Sequence, residues 1–353
     1  MNTTEAATMR DNIRKMAFHL ALAAMLAGVS TAAGAQATAP ASAPSPAEDA
    51  AQELPVHFIP NIGAAAEFYF SPDGHSIIGD AKREGDESYH VYTLNLDGTN
   101  IRRINNHGED ACSYYFPDGK RIIWTSTRDH PELPKGNYSD PNNYPQGAEI
   151  YTSNLDGSDV RRLTNNSNYD AEVSVRPDGK YILYGHQVDG KLDLWRANPD
   201  GSGAVQVTHL DGWEPGGAFY FPHSSKILFR AWKVDDQKAG KHPLPMSLFT
   251  INDDSTGLKK ITNDDGTNWS PYPAPDGHHY VFVRSIQGTY TLFLGDLNSS
   301  EQKQLTYRKA FNGFPVISPD GHWLLFSSSR DAVAGPHTLT LFLMDISSLH
   351  VGP

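Results

Sequence analysis

The tripeptide Pro-Asp-Gly recurs at Pro72, Pro117, Pro177, Pro275 and Pro319, and a degenerate copy, Pro222-His223-Ser224, fills the one wide gap. Six turns spaced 44 to 60 residues apart mark a chain built from one repeated unit. Asp-Gly suits a tight turn because glycine tolerates a positive φ. A short apolar run follows each turn: Ile77-Ile78, Ile122-Ile123, Ile182-Leu183, Ile227-Leu228, Tyr280-Val281 and Leu324-Leu325. Such runs, bounded by turn residues, read as strands.

A second motif follows in every repeat, an aliphatic residue, an aromatic, two residues, then Asn or Asp. Its aromatics are Tyr92, Tyr151, Trp195, Phe249, Phe293 and Phe342, and its polar members are Asn95, Asn154, Asn198, Asn252, Asp296 and Asp345. Asp97-Gly98, Asp156-Gly157 and Asp200-Gly201 then supply hairpin turns. A last strand is expected over 101–104, 160–163, 205–207, 258–261 and 302–305. Each repeat is thus four antiparallel strands, the make-up of a propeller blade. The sixth repeat stops after three strands, near Ile346. Val56 to Ile59, at the other end of the chain, is placed to supply the fourth. The expected fold is all-β, a six-bladed β-propeller with four-stranded antiparallel blades, closed by an N-terminal strand in the last blade.

The repeats resemble those of the TolB-type, WD40-like propellers, whose mark is Ser-Pro-Asp-Gly. Ser71-Pro72-Asp73-Gly74 and Ser318-Pro319-Asp320-Gly321 match that mark in full, and the likeness covers residues 55 to 348. The Tol-system protein carries an α/β domain ahead of its propeller. Here a linker stands in that place, so the resemblance implies a stand-alone relative.

Arg10, Arg14 and Lys15 precede an apolar run from Ala17 to Val29, and Ala33-Gly34-Ala35 follows. Charged, apolar and small residues in this order form a secretory signal. The run falls short of the roughly 20 residues a membrane span needs. Residues 1–35 are expected to be cleaved and 36–54 to form a disordered Ala/Pro-rich linker. The propeller then spans 55–353 of a periplasmic or secreted monomer with no stable membrane insertion. The net charge of −12 argues against nucleic acid as a partner, which needs a basic surface. Cys112 is the single cysteine, so no internal disulfide can form, and it reads as a small buried hydrophobe.

Strand order sets the geometry of the ring. Pro-Asp-Gly joins first to second strands on one rim, so second-to-third and inter-blade connections lie on the other. The two longest, Asp129 to Ala148 and Lys233 to Pro245, belong to that second rim, and long loops in compact domains are commonly functional. Residues entering the first strands should reach the channel mouth there: Asp110, Asp170, Glu172, Asn268 and Asn312, with Glu67 at the place equivalent to Glu172. Residues leaving the second strands should join them: Arg128, His186, Arg230, Trp232, Arg284 and Arg330. Such a mixture suits a protein, peptide or oligosaccharide ligand. Asp and Arg at these places also serve as turn caps and inter-blade ion pairs.

No cofactor and no metal site are expected. The oxygen-rich loop Asn137 to Tyr144 leaves calcium as a minor alternative to a folded lid or a plain loop. Gly-x-Ser-x-Gly and phosphate-loop motifs are absent from the sequence. A binding or scaffold module is the favoured function. The alternative is a carbohydrate lyase or hydrolase using Asp170, Glu172 and Arg284.

Overall fold

The computed structural model describes residues 53–353; the expected leader, and the linker up to residue 52, lie outside them. Six four-stranded antiparallel sheets follow one another in chain order. Their inner strands are Ala64–Phe70, Asp110–Tyr115, Asp170–Val175, Trp213–Tyr220, Asn268–Pro273 and Asn312–Ile317, for blades 1 to 6. The sixth blade is Asn312–Ile317, Trp323–Ser328 and Thr340–Asp345, completed by Val56–Phe58. Val56, His57 and Phe58 pair with Met344, Leu343 and Phe342. The propeller is therefore six-bladed and is closed by its own N-terminal strand.

The repeated motifs have direct physical causes. In the Pro-Asp-Gly turns, Asp Oδ1 accepts the backbone N–H two residues on, as in Asp73 with His75 and Asp118 with Lys120, both at 3.0 Å. In the degenerate turn, Ser224 Oγ takes the role, accepting from Lys226 N–H at 3.0 Å. The Asn of the second motif fastens the next hairpin: Asn95, Asn154, Asn198 and Asn252 each donate to a hydroxyl four residues on. A threonine after the outer strand then clasps the third strand. Thr164, Thr208, Thr262 and Thr306 accept N–H bonds from Ile150, Leu194, Leu248 and Leu292 at 2.9–3.0 Å.

Two details differ from expectation. Outer strands are shorter, for example Arg102–Arg103 and Arg161–Arg162. They are exposed edges, and the accumulated twist of the blade carries them out of register quickly. Glu53 and Leu54, assigned to the linker, belong to the folded body. Glu53 accepts from Tyr307 N–H at 2.7 Å and Arg330 Nη1 at 3.0 Å, and Leu54 packs on the core between blades 5 and 6.

Candidate functional site

All six inner strands break register at the same level, just inside the rim that carries the long loops. At five of these bulges one residue is left-handed: Cys112, Glu172, Gly217, Ser270 and Phe314, with φ between 47° and 56°. For a non-glycine residue that costs about 1 kcal/mol or more. A bulge re-aims side chains and backbone N–H groups. Here it sends Gly217 N–H of blade 4 to Glu172 Oε2 of blade 3, at 2.7 Å. Arg230 completes the pairing, its Nη2 lying 2.5 Å from Glu172 Oε1. The guanidinium is buried and its Nε has no hydrogen-bond partner. Burial opposes its charge, but Glu172 outweighs burial and raises its pKa above the ordinary value.

By ladder register Glu67 occupies the place of Glu172, as expected: Tyr69 and Ser174, and Ala65 and Asp170, hold corresponding places in the two blades. The two carboxylates act on each other. Burial, and secondarily the charge of Glu172, push the Glu67 carboxyl up against the lowering effect of its bond from Tyr69. Burial pushes the Asp80 carboxyl well up, with Glu67 and Asp110 adding to it, and its Oδ1 lacks a hydrogen-bond partner. Cys112 is buried as expected, and burial pushes its thiol well up.

Aromatic groups bound this acidic layer below and above. Further down the strands, towards the Pro-Asp-Gly rim, Tyr69, Tyr114, Phe219 and Tyr272 meet across the channel, with centroids 5.0–6.1 Å apart. Tyr114 and Tyr272, from opposite blades, share a 3.0 Å hydrogen bond. Above, the loop over 129–148 folds inward. Tyr144 stacks on Tyr169 at 4.1 Å, and Tyr138 packs beside them. The second long loop opens with a helical turn, Val234–Lys238, whose Gln237 bonds both Trp232 Nε1 and Asn142 Oδ1. The two loops thus join over blades 2 to 4. Within the first loop, Asn137 Oδ1 accepts from Ser139 N–H and Asp140 Oδ1 from Asn142 N–H, each closing a local turn. Over blades 5 and 6, Trp269 and Phe314 lie 4.8 Å apart, edge to face and partly exposed. The mouth thus combines an aromatic floor, a charged wall and an aromatic edge.

Of the residues singled out from sequence, Glu172 and Arg230 form the charged wall, and Trp232 is buried beneath the joined loops. Asp110, Arg128, Asp170, His186, Asn268, Arg284, Asn312 and Arg330 instead clasp the connections between blades. Asp110 accepts from Asn105 at 2.6 Å, and Asn105 in turn accepts from Arg128 at 3.3 Å. Asp170 bonds His186 and Asn166, and that bond raises the His186 pKa. Asn268 accepts from Arg284 at 2.9 Å, and Asn312 from Arg330 at 2.9 Å. Asp170, Glu172 and Arg284 share no hydrogen bond and lie in two different blades. Trp269, Phe314 and Asp80 were not among the expected residues. One signal was present for Trp269: it stands at the ladder position that Ala111 and Ala171 fill in blades 2 and 3. On the opposite rim, Asp276, His278 and His279 bring ligand atoms within 4.8 Å of one another.

No family model matches the sequence. An uncharacterised protein of Agrobacterium fabrum is 25% identical over 223 residues, 61% of this chain and 68% of that protein. The uncharacterised peptidase YuxL of Bacillus subtilis is 23% identical over 238 residues; the match takes in 63% of this chain but 30% of YuxL. Among solved structures, one assigned as TolB from Agrobacterium tumefaciens aligns with a TM-score of 0.57 at 18% identity, covering 82% of this chain and 96% of that one. An oligogalacturonate lyase in complex with manganese aligns with a TM-score of 0.56 at 14% identity, covering 84% and 94%. The propeller domain of the trilobed protease of Pyrococcus furiosus aligns at 0.52 and 11%, covering 81% and 96%. Together with two full Ser-Pro-Asp-Gly turns, these likenesses make the chain a TolB-type six-bladed β-propeller in fold.

Proposed function

We propose that this protein is an exported binding module whose channel mouth holds the polar end of a peptide, protein or oligosaccharide. The observation that carries the reading is the pairing of chemistries across the mouth. Partly exposed Trp269 and Phe314 of blades 5 and 6 offer a stacking edge, and blades 3 and 4 contribute the buried Glu172–Arg230 pair at the level of the same bulges. Aromatic edges with a few fixed polar groups are what small-ligand and sugar sites use for affinity and orientation. The eight clasp residues support the non-catalytic side of the reading, since their polar atoms are already engaged with the frame. Export to the periplasm rests on the leader-like order of Arg10 to Ala35. Among the described residues no helix is long and apolar enough to cross a membrane.

Calorimetric titration of the mature protein with short peptides and neutral and acidic oligosaccharides tests this. Trp269→Ala should weaken the bound ligand by about tenfold or more, near 1.4 kcal/mol. No binding across the panel, or binding indifferent to Trp269→Ala and Glu172→Gln, would sink it.

A second reading, a carbohydrate lyase or hydrolase at the same mouth, draws on one observation. Glu67 and Glu172 are neighbouring carboxylates in unlike settings, one raised by burial and one paired with Arg230, a contrast that acid–base catalysts exploit. Turnover lost in Glu67→Gln while binding persists would favour it over the binding module.

A further inference from the structure

We infer that the Pro-Asp-Gly turn of blade 5 is a binding site for a divalent transition-metal ion such as zinc, formed by Asp276, His278 and His279. The turn itself needs one oxygen of its aspartate. Asp276 Oδ1 accepts from His278 N–H at 3.0 Å and His279 N–H at 2.9 Å. That leaves Oδ2 surplus, and two imidazoles converge on it: His279 Nδ1 at 2.5 Å and His278 Nε2 at 3.6 Å. The other ring nitrogen of His278 is held by Asp296 Oδ1 at 2.9 Å. A carboxylate behind a ligating histidine fixes ring orientation and raises basicity, the usual outer support of a metal-bound imidazole. The four side chains are between 12% and 39% exposed, which leaves an entry path and room for a water as fourth ligand. Two imidazoles and one carboxylate suit zinc and its neighbours rather than calcium or magnesium.

The other blades supply an internal contrast. Blade 6 has the same turn, with His322 Nδ1 3.2 Å from Asp320 Oδ2, but its next residue is Trp323. Blade 1 has Asp73 and His75, followed by Ser76. The second imidazole distinguishes blade 5, and no turn requires it.

Equilibrium dialysis of the untagged mature protein against zinc chloride tests the site, with cobalt as a spectroscopic probe. The expected result is one tight equivalent of zinc and a visible cobalt band of low-symmetry, tetrahedral intensity. His279→Trp, which copies blade 6, should remove that equivalent. Asp296→Asn, which touches no ion, should weaken it about 10- to 100-fold. Should His279→Trp fail to fold, His278→Gln carries the same expectation. Zinc bound equally by wild type and the folded variants, or not bound at all at micromolar concentration, overturns the inference.

Discussion

Glu214 shows how one residue can tie stability to pH. It lies at the start of the blade 4 inner strand, 7% exposed, and burial followed by the charge of Asp193 pushes its carboxyl up to about 7. In the unfolded chain the ordinary value is 4.5. Between those two values the native state binds the proton more tightly. The contribution of Glu214 is therefore full below pH 4.5 and is lost as pH rises towards 7, by at most about 3 kcal/mol. Denaturant titrations from pH 4.5 to 8 should show that decline, and Glu214→Gln should flatten it; an unchanged slope would refute the assignment. The same residue scale marks the limit of sequence reading at the mouth. The residues entering each inner strand were legible from their spacing behind the turns. Which of them face the channel was not, because the bulge shifts the alternation by one at every blade. Asp170 and Glu172 are two positions apart, yet one is sealed in a clasp with His186 and the other faces Arg230 across a blade boundary.

At the scale of the element, a blade holds together by a few side chains that satisfy backbone groups where the short outer strand cannot. Thr208 accepts Leu194 N–H at 2.9 Å and donates to the buried Asp193 at 2.9 Å. Replacing it with valine keeps the shape and removes both bonds. The orphaned N–H and carboxylate oxygen should cost about 1–3 kcal/mol, read as a lowered urea midpoint at unchanged slope. A cost below 0.5 kcal/mol would mean that the outer strand is held by packing alone. The blade repeat was legible because turn aspartates, motif asparagines and these threonines are local devices at fixed offsets. Strand length was not: the fourth strands read as three or four residues from their apolar patterns, but twist at an exposed edge leaves ladders of two or three pairs. The two long loops were legible as insertions on the rim opposite the Pro-Asp-Gly turns. Their meeting through Gln237 and Asn142, 95 residues apart, has no local signature.

For the whole molecule, the decisive contact joins residues from opposite ends of the described chain. Closing the ring places Val56–Phe58 beside Thr340–Asp345 and sets Glu53 against Arg330, both buried. No other blade depends on a pairing so distant in sequence, and such long-range contacts carry the largest ordering cost before they yield any stabilisation. The missing fourth strand of the last repeat made the closure legible, whereas Glu53 was hidden by the polar linker composition around it. Three versions of the chain separate these contributions. A chain beginning at residue 51 keeps strand and clamp and should melt like the full-length protein. Glu53→Ala keeps the strand but leaves the Arg330 guanidinium, 2% exposed, without its carboxylate; breaking a buried pair costs about 3–5 kcal/mol. A chain beginning at residue 61 loses both, exposes the edge at Thr340–Asp345 and should lose cooperative melting throughout, since blade 6 then packs on blades 1 and 5 with an open side. If calorimetry instead shows blades 1 to 5 melting as an intact unit in that last chain, closure is an accessory to the fold and the stability of the ring resides in its inner strands.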